Sequence, residues 1–494
     1  MFKLSENIDP NKVFIVNRSE LEGRIDPIFY ASDLAKFNTN IFKSVLLKSI
    51  VKYFKSGFGA GKQEQTDAKN GIIQIRPTNI DENGFLKYDK NIYLPIDKNS
   101  IRIEVNDILF NNTNSQELVG KTAILKENKE LTFSNHITII RVRKEAILPD
   151  YLWIILNMYQ RNRIFYSICT NWNNQSGIGL ELLKKLKIPL PPLEIQQQIV
   201  DLYEKAYTEK QQKEAEAQRL LDSIDDYLLG ELGITLPKEE EHLPQSTDKN
   251  SSYNLDNDNP LVKKGRLFLT NLSEVTGERI DPDYYSIYYK KIITKVEKGK
   301  YPIDTINHNC INVFSGKTPS SSEYSKDNTV YPIIKVSSYT DYKIDIEKVA
   351  FTTNKQPFSI LKGDIFILSA AHQAEYVGKH IKYLEETPEY STSFVGELLC
   401  IRVNKEKLLS NYLFPLLNTK CYKILINREK TGQTSHIYPK DIENIKIPLP
   451  PLEKQNEMAT HISQIRSKAN VLMQQGKETL EKAKQAVEQM ILGN

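Results

Sequence analysis

The chain has 494 residues, of which 40% are hydrophobic and 26% charged, and its formal net charge is +4. At about 150 residues per domain, this length predicts roughly three units of ordinary globular composition. So small a net charge excludes a histone-like polycation and a polyacidic tail protein, so any binding to nucleic acid has to come from local patches.

The beginning of the chain and its cysteines favour a soluble protein of the reducing cytoplasm. The first residues, MFKLSENIDPNK, carry charges where a signal peptide requires an apolar run, and the most apolar stretch, Tyr151 to Tyr159, is too short to span a bilayer. The cysteines are too few and too scattered for a disulfide framework, and none forms a Cys-x-x-Cys pair. They are Cys169, Cys310, Cys400 and Cys421.

Residues 1–193 have the pattern of a globular domain that is followed by a long helix. Runs such as GIIQIRP and ITIIRVR, rich in Ile and Val and flanked by turn residues, predict strands, and Pro149 to Ser167 predicts a helix. Residues 194–229 contain neither Gly nor Pro. Their apolar residues, among them Ile195, Ile199 and Leu202, recur at steps of three and four, which predicts a helix with one apolar stripe.

The second part of the chain follows the same plan. Residues 230–264 are polar and contain proline, which predicts a flexible linker. Residues 265–452 contain strand-like runs such as YPIIKVS and DIFILSA and a helical stretch from Lys407 to Ile426, and residues 453–494 again predict one long helix. Because a narrow apolar stripe on so long a helix needs a partner, we expect the two long helices to pair as an antiparallel coiled coil.

An internal duplication explains this plan. The sequence IPLPPLE occurs at Ile188 to Glu194 and again at Ile447 to Glu453, and KVFIVNRSELEGRIDPIFY (12–30) is similar to RLFLTNLSEVTGERIDPDYY (266–285). Between these ends further markers align in the same order, among them Asn106-Asp107 with Gly363-Asp364. Repetition at this scale predicts two copies of one structural unit. Duplication for stability alone is the simpler alternative.

The polar segments between the shared positions have diverged, which indicates that the copies bind different forms of one kind of ligand. FNNTNSQELVG in the first copy corresponds to LSAAHQAEYVG in the second. The acidic residues are concentrated outside the globular parts, since residues 194–229 carry nine acidic and four basic side chains. Positive charge is therefore in surplus on the two globular parts, as expected if they contact phosphates.

Lys, Arg, Asn, Gln, Ser, Thr, Tyr and His in these segments are of the types that pair with base edges and phosphates, although each is also ordinary on a protein surface. The candidate DNA-binding residues are Lys62, Gln63, Arg76, Asn79, Asn112, Asn114, Gln116, Lys121, Asn174, Gln175, Lys317, Thr318, Ser320, Lys335, Ser337, Tyr339, His372, Gln373, Lys379, Gln433, Ser435 and His436.

The sequence offers no catalytic, cofactor or metal constellation. The Pro-Pro pairs lie between leucines, unlike the Pro-Pro-aromatic motif of amino-methyltransferases, and Gly57, Gly59 and Gly61 have the wrong spacing for a dinucleotide loop. Gly61-Lys62 lacks the remaining residues of a phosphate-binding loop, and the seven histidines have no metal-ligand spacing. We therefore predict no catalytic residue, cofactor or metal site in this chain.

A duplicated module that ends in IPLPPLE-x-Q and opens into a long helix resembles the specificity subunit of type I restriction-modification enzymes, over nearly the whole chain. Residues 316–320 match the family's G-x-T-P-S turn, and Gly363-Asp364-Ile365 matches its G-D-I element. The first copy departs from both, with Gly61-Lys62-Gln63-Glu64 in place of the turn and Asn106 in place of the glycine.

The resemblance implies an α+β fold in which two mixed α/β target-recognition domains, related by a pseudo-two-fold axis, are separated by the antiparallel helices. The expected division is 1–193 and 265–452 for the recognition domains, 194–229 and 453–494 for the spacer helices, and 230–264 for the linker. Each domain would read one half of a bipartite, asymmetric DNA site, and the chain itself would be non-catalytic.

The resemblance also implies partners: double-stranded DNA, modification (methyltransferase) subunits, two in number, and restriction/translocase subunits, with S-adenosylmethionine, ATP and Mg²⁺ in those partners. Two alternatives remain open on the sequence. One is a stand-alone DNA-acting enzyme such as a nuclease, and the other is a coiled-coil scaffold that does not bind DNA.

Overall fold

The computed structural model describes residues 13, 15–18, 41–95, 101–172, 175–237, 269–270, 275, 279, 281–328, 331–338, 344, 348–388, 390–431 and 435–493. The chain divides into two compact units. The first comprises Met1–Glu214 and Met473–Asn494, and the second comprises Ala215–Leu472. Most of the predicted linker, from 238 to 264, and most of the repeated opening motif lie outside the described residues.

Eleven α-helices occur in the described residues. They are α1 (Leu47–Ile50), α2 (Pro149–Arg161), α3 (Ile164–Ile168), α4 (Leu180–Lys184), α5 (Leu193–Glu231), α6 (Ile287–Glu297), α7 (Ile306–Asn309), α8 (Ser410–Asn418), α9 (Lys420–Arg428), α10 (Pro439–Glu443) and α11 (Leu452–Leu492). Single 3₁₀ turns lie at Lys62–Glu64, Pro77–Asn79, Pro282–Tyr285, Ser321–Glu323, Val336–Ser338 and Ala374–Tyr376.

The strands are short. Those of the first unit are β1 (Ser44–Leu46), β2 (Val51–Ser56), β3 (Gly71–Ile75), β4 (Tyr93–Pro95), β5 (Ile108–Asn111), β6 (Thr113–Asn114), β7 (Thr122–Ile124), β8 (Leu131–Phe133), β9 (Ile137–Val142), β10 (Thr170–Trp172), β11 (Gln175–Gly177) and β12 (Lys187–Pro189). Those of the second unit are β13 (Ile303–Thr305), β14 (Cys310–Ser315), β15 (Tyr324–Ser325), β16 (Tyr331–Ile334), β17 (Ala350–Thr352), β18 (Ile365–Leu368), β19 (Ile381–Tyr383), β20 (Ser393–Phe394), β21 (Leu398–Val403) and β22 (Lys446–Pro448).

Both units contain the same four-stranded antiparallel sheet, which confirms that the duplication is structural. Its order is β2-β9-β5-β7 in the first unit and β14-β21-β18-β19 in the second. The pairing shifts by one residue at corresponding places, between Val51 and Tyr53 and between Cys310 and Asn312. A second sheet in each unit contains one parallel pair, β3 with β8 and β16 with β20. The fold class predicted from the sequence, two mixed α/β domains, is therefore confirmed.

The two helical stretches predicted from the sequence are each broken into two helices. Pro149 to Ser167 divides into α2 and α3 because Arg163 takes a left-handed backbone conformation with a φ of 61°. Lys407 to Ile426 divides into α8 and α9 at Thr419, whose side chain accepts a hydrogen bond from the backbone N–H of Tyr422. Such local backbone conformations are poorly encoded in hydrophobic periodicity.

An arginine and an aspartate clamp the same end of the four-stranded sheet in both units. Arg141 donates two hydrogen bonds of 2.6 Å to Asp107, and Arg402 donates bonds of 2.8 and 2.7 Å to Asp364. Both aspartates are buried at 1% exposure, and paired charge-assisted bonds of this kind are stronger than neutral ones. The clamps tie the start of β5 to the end of β9, and the start of β18 to the end of β21.

The residue before each aspartate has a left-handed backbone conformation, with a φ of 72° at Asn106 and 94° at Gly363. Glycine adopts this region without a steric penalty, and asparagine is the side-chain-bearing residue that tolerates it well. This accounts for the replacement of glycine by asparagine in the first copy.

Each long helix is fixed to its domain by a buried glutamine, the last residue of the repeated IPLPPLE-x-Q motif. Gln196 accepts a hydrogen bond of 2.9 Å from the backbone N–H of Leu148 and donates one of 2.9 Å to the carbonyl of Pro191. Gln455 accepts 2.8 Å from Leu409 and donates 2.9 Å to Pro450, and both glutamines are 0% exposed. The motif is therefore a structural junction.

Within each unit the two long helices pack against each other in opposite directions. In the first unit, Ile199, Tyr203 and Ala206 of α5 share a core with Leu480 and Val487 of α11. In the second unit the side chain of Lys454 lies 3.0 Å from that of Glu231, and the ring of His461 lies 4.3 Å from that of Tyr227. Among the described residues, no helix is both long and apolar enough to cross a membrane.

Candidate nucleic-acid interface

In the second unit, the diverged loops lie together at the end of the sheet opposite the Arg402–Asp364 clamp. β14 and β18 run in one direction, and β21 and β19 run in the opposite direction. The loops that follow β14 and β18 and the loops that precede β21 and β19 therefore lie at the same end of the sheet. β16 runs parallel to β20, so the loop after β16 reaches the same end. We call this end of the second unit the loop face; it comprises residues 316–320, 335–338, 369–379, 395–397 and 435–438.

Hydrogen bonds between these loops hold the loop face together. Thr318 donates a bond of 2.8 Å to the carboxylate of Glu397 and accepts one of 2.9 Å from the backbone N–H of Gly396. Ser369 donates its backbone N–H to the carbonyl of Glu397 at 2.9 Å, and its own carbonyl accepts from Ile437 at 3.0 Å. Four loops that are far apart in the sequence thus form one continuous surface.

The predicted residues of the second copy divide into two groups. Thr318 and Ser320 are also exposed, but they bond within the loops, since Ser320 bonds to Glu323 at 2.8 Å through both its hydroxyl and its backbone N–H. The exposed group can reach a ligand, and it comprises Lys317, Lys335, Ser337, His372, Gln373 and Lys379. Ser435 and His436 are half-buried at the edge of the face, and Tyr339 and Gln433 lie outside the described residues.

The first unit has a corresponding loop face, at the end of its sheet opposite the Arg141–Asp107 clamp. Lys62 and Gln63 follow β2, Lys121 precedes β7, and all three are exposed or half-buried. The hairpin of β10 and β11 pairs with β6, which adds the exposed Gln175 next to Asn114. Asn174 lies outside the described residues.

Some of the predicted DNA-binding residues of the first copy instead make hydrogen bonds within their own unit. Asn79 is 0% exposed, and its side chain bonds to the backbone of Arg76 and Lys87, so it corrects our expectation of a DNA contact there. Asn112 donates its amide hydrogens to Asn135 and Thr138. The half-buried Arg76 donates to the carbonyl of Lys90 at 3.1 Å, and Gln116 donates to that of Tyr166 at 3.0 Å.

The counterpart of the G-x-T-P-S turn is Gly57 to Gly61, which begins four residues earlier than the sequence comparison placed it. The N–H groups of Gly57 and Gly316 donate to Ile137 and Leu398, which are equivalent positions of the two sheets, at 3.2 Å in both units. A Cβ atom at either glycine would lie 2.2–2.3 Å from a backbone carbonyl oxygen. The glycine cluster is thus a close-packed turn, and its spacing reflects backbone approach.

Exposed aromatic side chains on the two faces were missed by the sequence argument. Trp172 is 47% exposed on the β10–β11 hairpin, Phe58 is 42% exposed beside the turn, and Tyr376 and Tyr438 are 39% and 51% exposed in the second unit. Interleaving of tyrosine with polar residues was visible in the sequence, but exposure was not. Aromatic rings at a nucleic-acid interface can stack on bases or contact the thymine methyl group.

The described residues offer no metal cluster, and three of the four cysteines have thiols with a raised pKa. No group of three or more His, Cys, Asp or Glu side chains in these parts of the chain could hold a metal ion. Burial raises the pKa of Cys310 and of Cys421 to about 12, and raises that of Cys400 well above its ordinary value. A thiol with a raised pKa is a poor nucleophile because little of it is ionised near neutral pH.

Comparison with known proteins identifies the family. Residues 31–219 and 310–482 match the profile of the type I restriction modification DNA specificity domain. The chain is 27% identical over 398 residues to the type I restriction enzyme MjaX specificity subunit of Methanocaldococcus jannaschii, covering 79% of this chain and 78% of that protein. It is 25% identical over 419 residues to the MjaVIII specificity subunit of the same organism, covering 81% of each.

Solved structures include similar chains. One, from a study of complex assembly and conformational transition of the type I R-M system, has a TM-score of 0.49 at 16% identity and covers 92% of this chain and 97% of its own. The S subunit of a type I system from M. genitalium has a TM-score of 0.39 at 14% identity, with coverage of 92% and 96%. From the two profile matches, which together span most of its length, the chain belongs to the family of type I restriction-modification DNA specificity subunits.

Proposed function

We propose that this chain directs a type I restriction-modification complex to a bipartite DNA sequence, with the loop face of each unit reading one half. The observation that carries the proposal is the position of the diverged loops. In both units they lie at one end of the same sheet, while the matched residues, such as the Arg141–Asp107 and Arg402–Asp364 clamps, hold the other end. Because the two units share one fold but differ in these loops, we expect them to recognise two different half-sites, which makes the whole DNA site asymmetric.

The side chains available on each face support readout in the major groove. Gln373 and Gln175 can form paired hydrogen bonds to adenine, and Lys317, Lys335 and Lys379 can contact guanine or phosphate. All five are exposed or sit on exposed loops. The chain contributes positioning, and the transfer of a methyl group belongs to its partners.

In this proposal the partners are two modification subunits, which bind S-adenosylmethionine, and restriction subunits, which use ATP and Mg²⁺. The long helices α5 and α11 set the separation of the half-sites and offer docking surface for the modification subunits. Their length supports this role, since 39 and 41 residues at ~1.5 Å each give rods of roughly 60 Å. Such a rod exceeds one turn of the duplex, which is about 34–36 Å.

The test is the sequence that the reconstituted complex methylates. The double variant His372→Ala with Gln373→Ala should relax the second half-site alone, because each paired base contact is worth about 1–3 kcal/mol, or roughly 5- to 150-fold. The matched variant Gln175→Ala should affect the first half-site alone. Methylated-base mapping that shows no bipartite motif, or both half-sites altered by either variant, would refute the proposal.

A further inference from the structure

The first unit carries a strongly basic surface that the second unit lacks. We call it the basic face, and it consists of Lys43, Lys48, Lys52, Arg143, Lys184, Lys185 and Lys187. Six of these side chains are exposed and Lys184 is half-buried. They come from five short segments of the chain, around β1, α1, the start of β2, the end of β9 and the α4–β12 connection.

Backbone contacts bring these segments together. The N–H of Leu47 donates to the carbonyl of Leu186 at 2.8 Å, and the N–H of Arg143 donates to that of Ile50 at 2.9 Å. β1 pairs with β12, so that Leu46 lies opposite Lys187. The lysines therefore cluster in space on one end of the unit.

The electrostatics of Glu181 show how close the charges are. Lys184 lies 2.7 Å from this carboxylate, and its hydrogen bond lowers the pKa of Glu181. Lys185 and Lys48, on different segments, lower it further. Among the described residues, Lys184 is the one member of the basic face with an ion pair.

The second unit provides an internal control, because the equivalent strands pair in the same register. Ser44 lies opposite Pro189, as Ile303 lies opposite Pro448. The residues at the seven equivalent positions are Pro302, Asn307, Ile311, Asn404, Glu443, Asn444 and Lys446. Six of the seven basic residues are thus neutral or acidic in the second copy, and the remaining one, Lys446, is paired with Glu297 at 2.7 Å. The fold alone does not require the charge.

The basic face lies at the end of the sheet opposite the loop face of the same unit. Lys52 is near the beginning of β2 and the loop face begins after its last residue, Ser56. The five steps from Lys52 to Gly57, at ~3.3 Å each, separate the two surfaces by about 16 Å. The basic face therefore lies at the other end of the sheet from the side chains proposed to read the half-site.

We propose that the basic face is a second, sequence-independent site on the first unit for the phosphate backbone of double-stranded DNA, outside the half-site that this unit reads. Its composition favours DNA over a protein partner. Six of its seven members are lysines and none is aromatic, whereas protein interfaces are depleted in lysine and enriched in aromatic residues and arginine. Protein–DNA interfaces are polar and strongly positive.

The experiment measures the affinity of the full chain, in complex with its modification subunits, for a duplex without the recognition site. The test variant replaces Lys48, Lys52, Lys185 and Lys187 with Gln. Since each phosphate contact contributes about 0.9 to the slope of log affinity against log salt, we expect that slope to fall by about 2 to 4. The charge-matched control replaces four exposed lysines of the second unit, Lys355, Lys362, Lys405 and Lys420, with Gln and should leave the slope nearly unchanged.

A reciprocal variant adds the charge to the second unit, so that its expected result is a gain of DNA binding, which misfolding would not produce. Asn307→Lys, Ile311→Lys and Asn444→Lys together transfer the charge to the exposed equivalent positions of the second unit, and they should increase the slope. Two arms then identify the source of the phosphates. If the test variant loses affinity only when flanking base pairs are added to the bound duplex, the basic face binds the same duplex as the loop face. If the test variant instead fails to capture a second, labelled duplex, the basic face binds a separate segment of DNA.

Equal slopes for the test variant and its charge-matched control would overturn the inference. So would weakened binding of an acidic protein subunit with DNA affinity unchanged. Because these duplexes carry no recognition site, the result is independent of whether the loop faces read a bipartite sequence.

Discussion

Replacement of Gln455 by Leu tests whether the repeated motif is a structural junction. Gln455 is fully buried and makes three hydrogen bonds, accepting from Leu409 at 2.8 Å and donating to Pro450 at 2.9 Å and to Lys407 at 3.1 Å. Leucine keeps most of the volume, so little cavity forms. It leaves one N–H and two carbonyl groups without this partner, and each unsatisfied buried group costs about 1–3 kcal/mol.

Because some of these groups are only partly buried and can relax toward water, we expect a loss of about 3 kcal/mol in the free energy of unfolding of the second unit. For a unit of this size that corresponds to a decrease in Tm of roughly 6–12 °C. The assay is denaturant unfolding of the full chain, followed by a probe placed in the second unit.

The exposed Gln464 on the same helix is the matched control. Gln464→Leu should change the free energy of unfolding by less than about 0.5 kcal/mol. If Gln455→Leu fell within the same range, the hydrogen bonds of the junction would not contribute to stability and the reasoning would be refuted. Gln196→Leu, which loses two hydrogen bonds instead of three, should be less damaging and should affect the first unit.

Three further predictions concern single side chains. Burial raises the pKa of Glu429 to about 7, above its ordinary 4.5, so the folded unit holds this proton more tightly. The free energy of unfolding should therefore fall by up to about 3 kcal/mol as the pH rises from 4.5 to 7. Unfolding measured at several pH values should show this dependence on pH, and the dependence should disappear in Glu429→Gln. Asn106→Gly should be neutral or stabilising and Asn106→Val destabilising by about 1–2 kcal/mol in thermal unfolding, because φ is positive there; equal effects would contradict this. Gly316→Ala should disorder the loop face and weaken binding to the second half-site in a methylation assay, since a Cβ would meet the carbonyl oxygen of Phe394; unchanged methylation would contradict it.

The duplication, the strands and the long helices could be predicted because they depend on patterns that persist over many residues. The predicted strand ITIIRVR is β9, and α5 and α11 differ from their predicted ends by at most two residues. Single-residue backbone states could not be predicted in this way. Arg163 ends a helix because its φ is positive, and arginine is not a residue type from which a positive φ is expected.

The candidate site was predictable as a set of loops but not residue by residue. The divergence between copies pointed to polar segments that the fold gathers at one end of each sheet. It could not distinguish an exposed Gln373 from a buried Asn79, since both are polar residues next to a strand. That distinction depends on tertiary burial, which a single sequence does not reveal.

The separation between the clamped and the variable end of each sheet has a consequence for how new specificities arise. Arg141–Asp107 and Arg402–Asp364 stabilise their strands at the end away from the loop faces. A mutation in an exposed loop residue such as Gln373 therefore leaves these ion pairs intact. Loop side chains that take no part in the hydrogen bonds between loops can therefore change at little cost in folding, and the two units can do so independently. If the loop faces read DNA as proposed, tolerance to mutation is thus located at the positions that would determine sequence specificity.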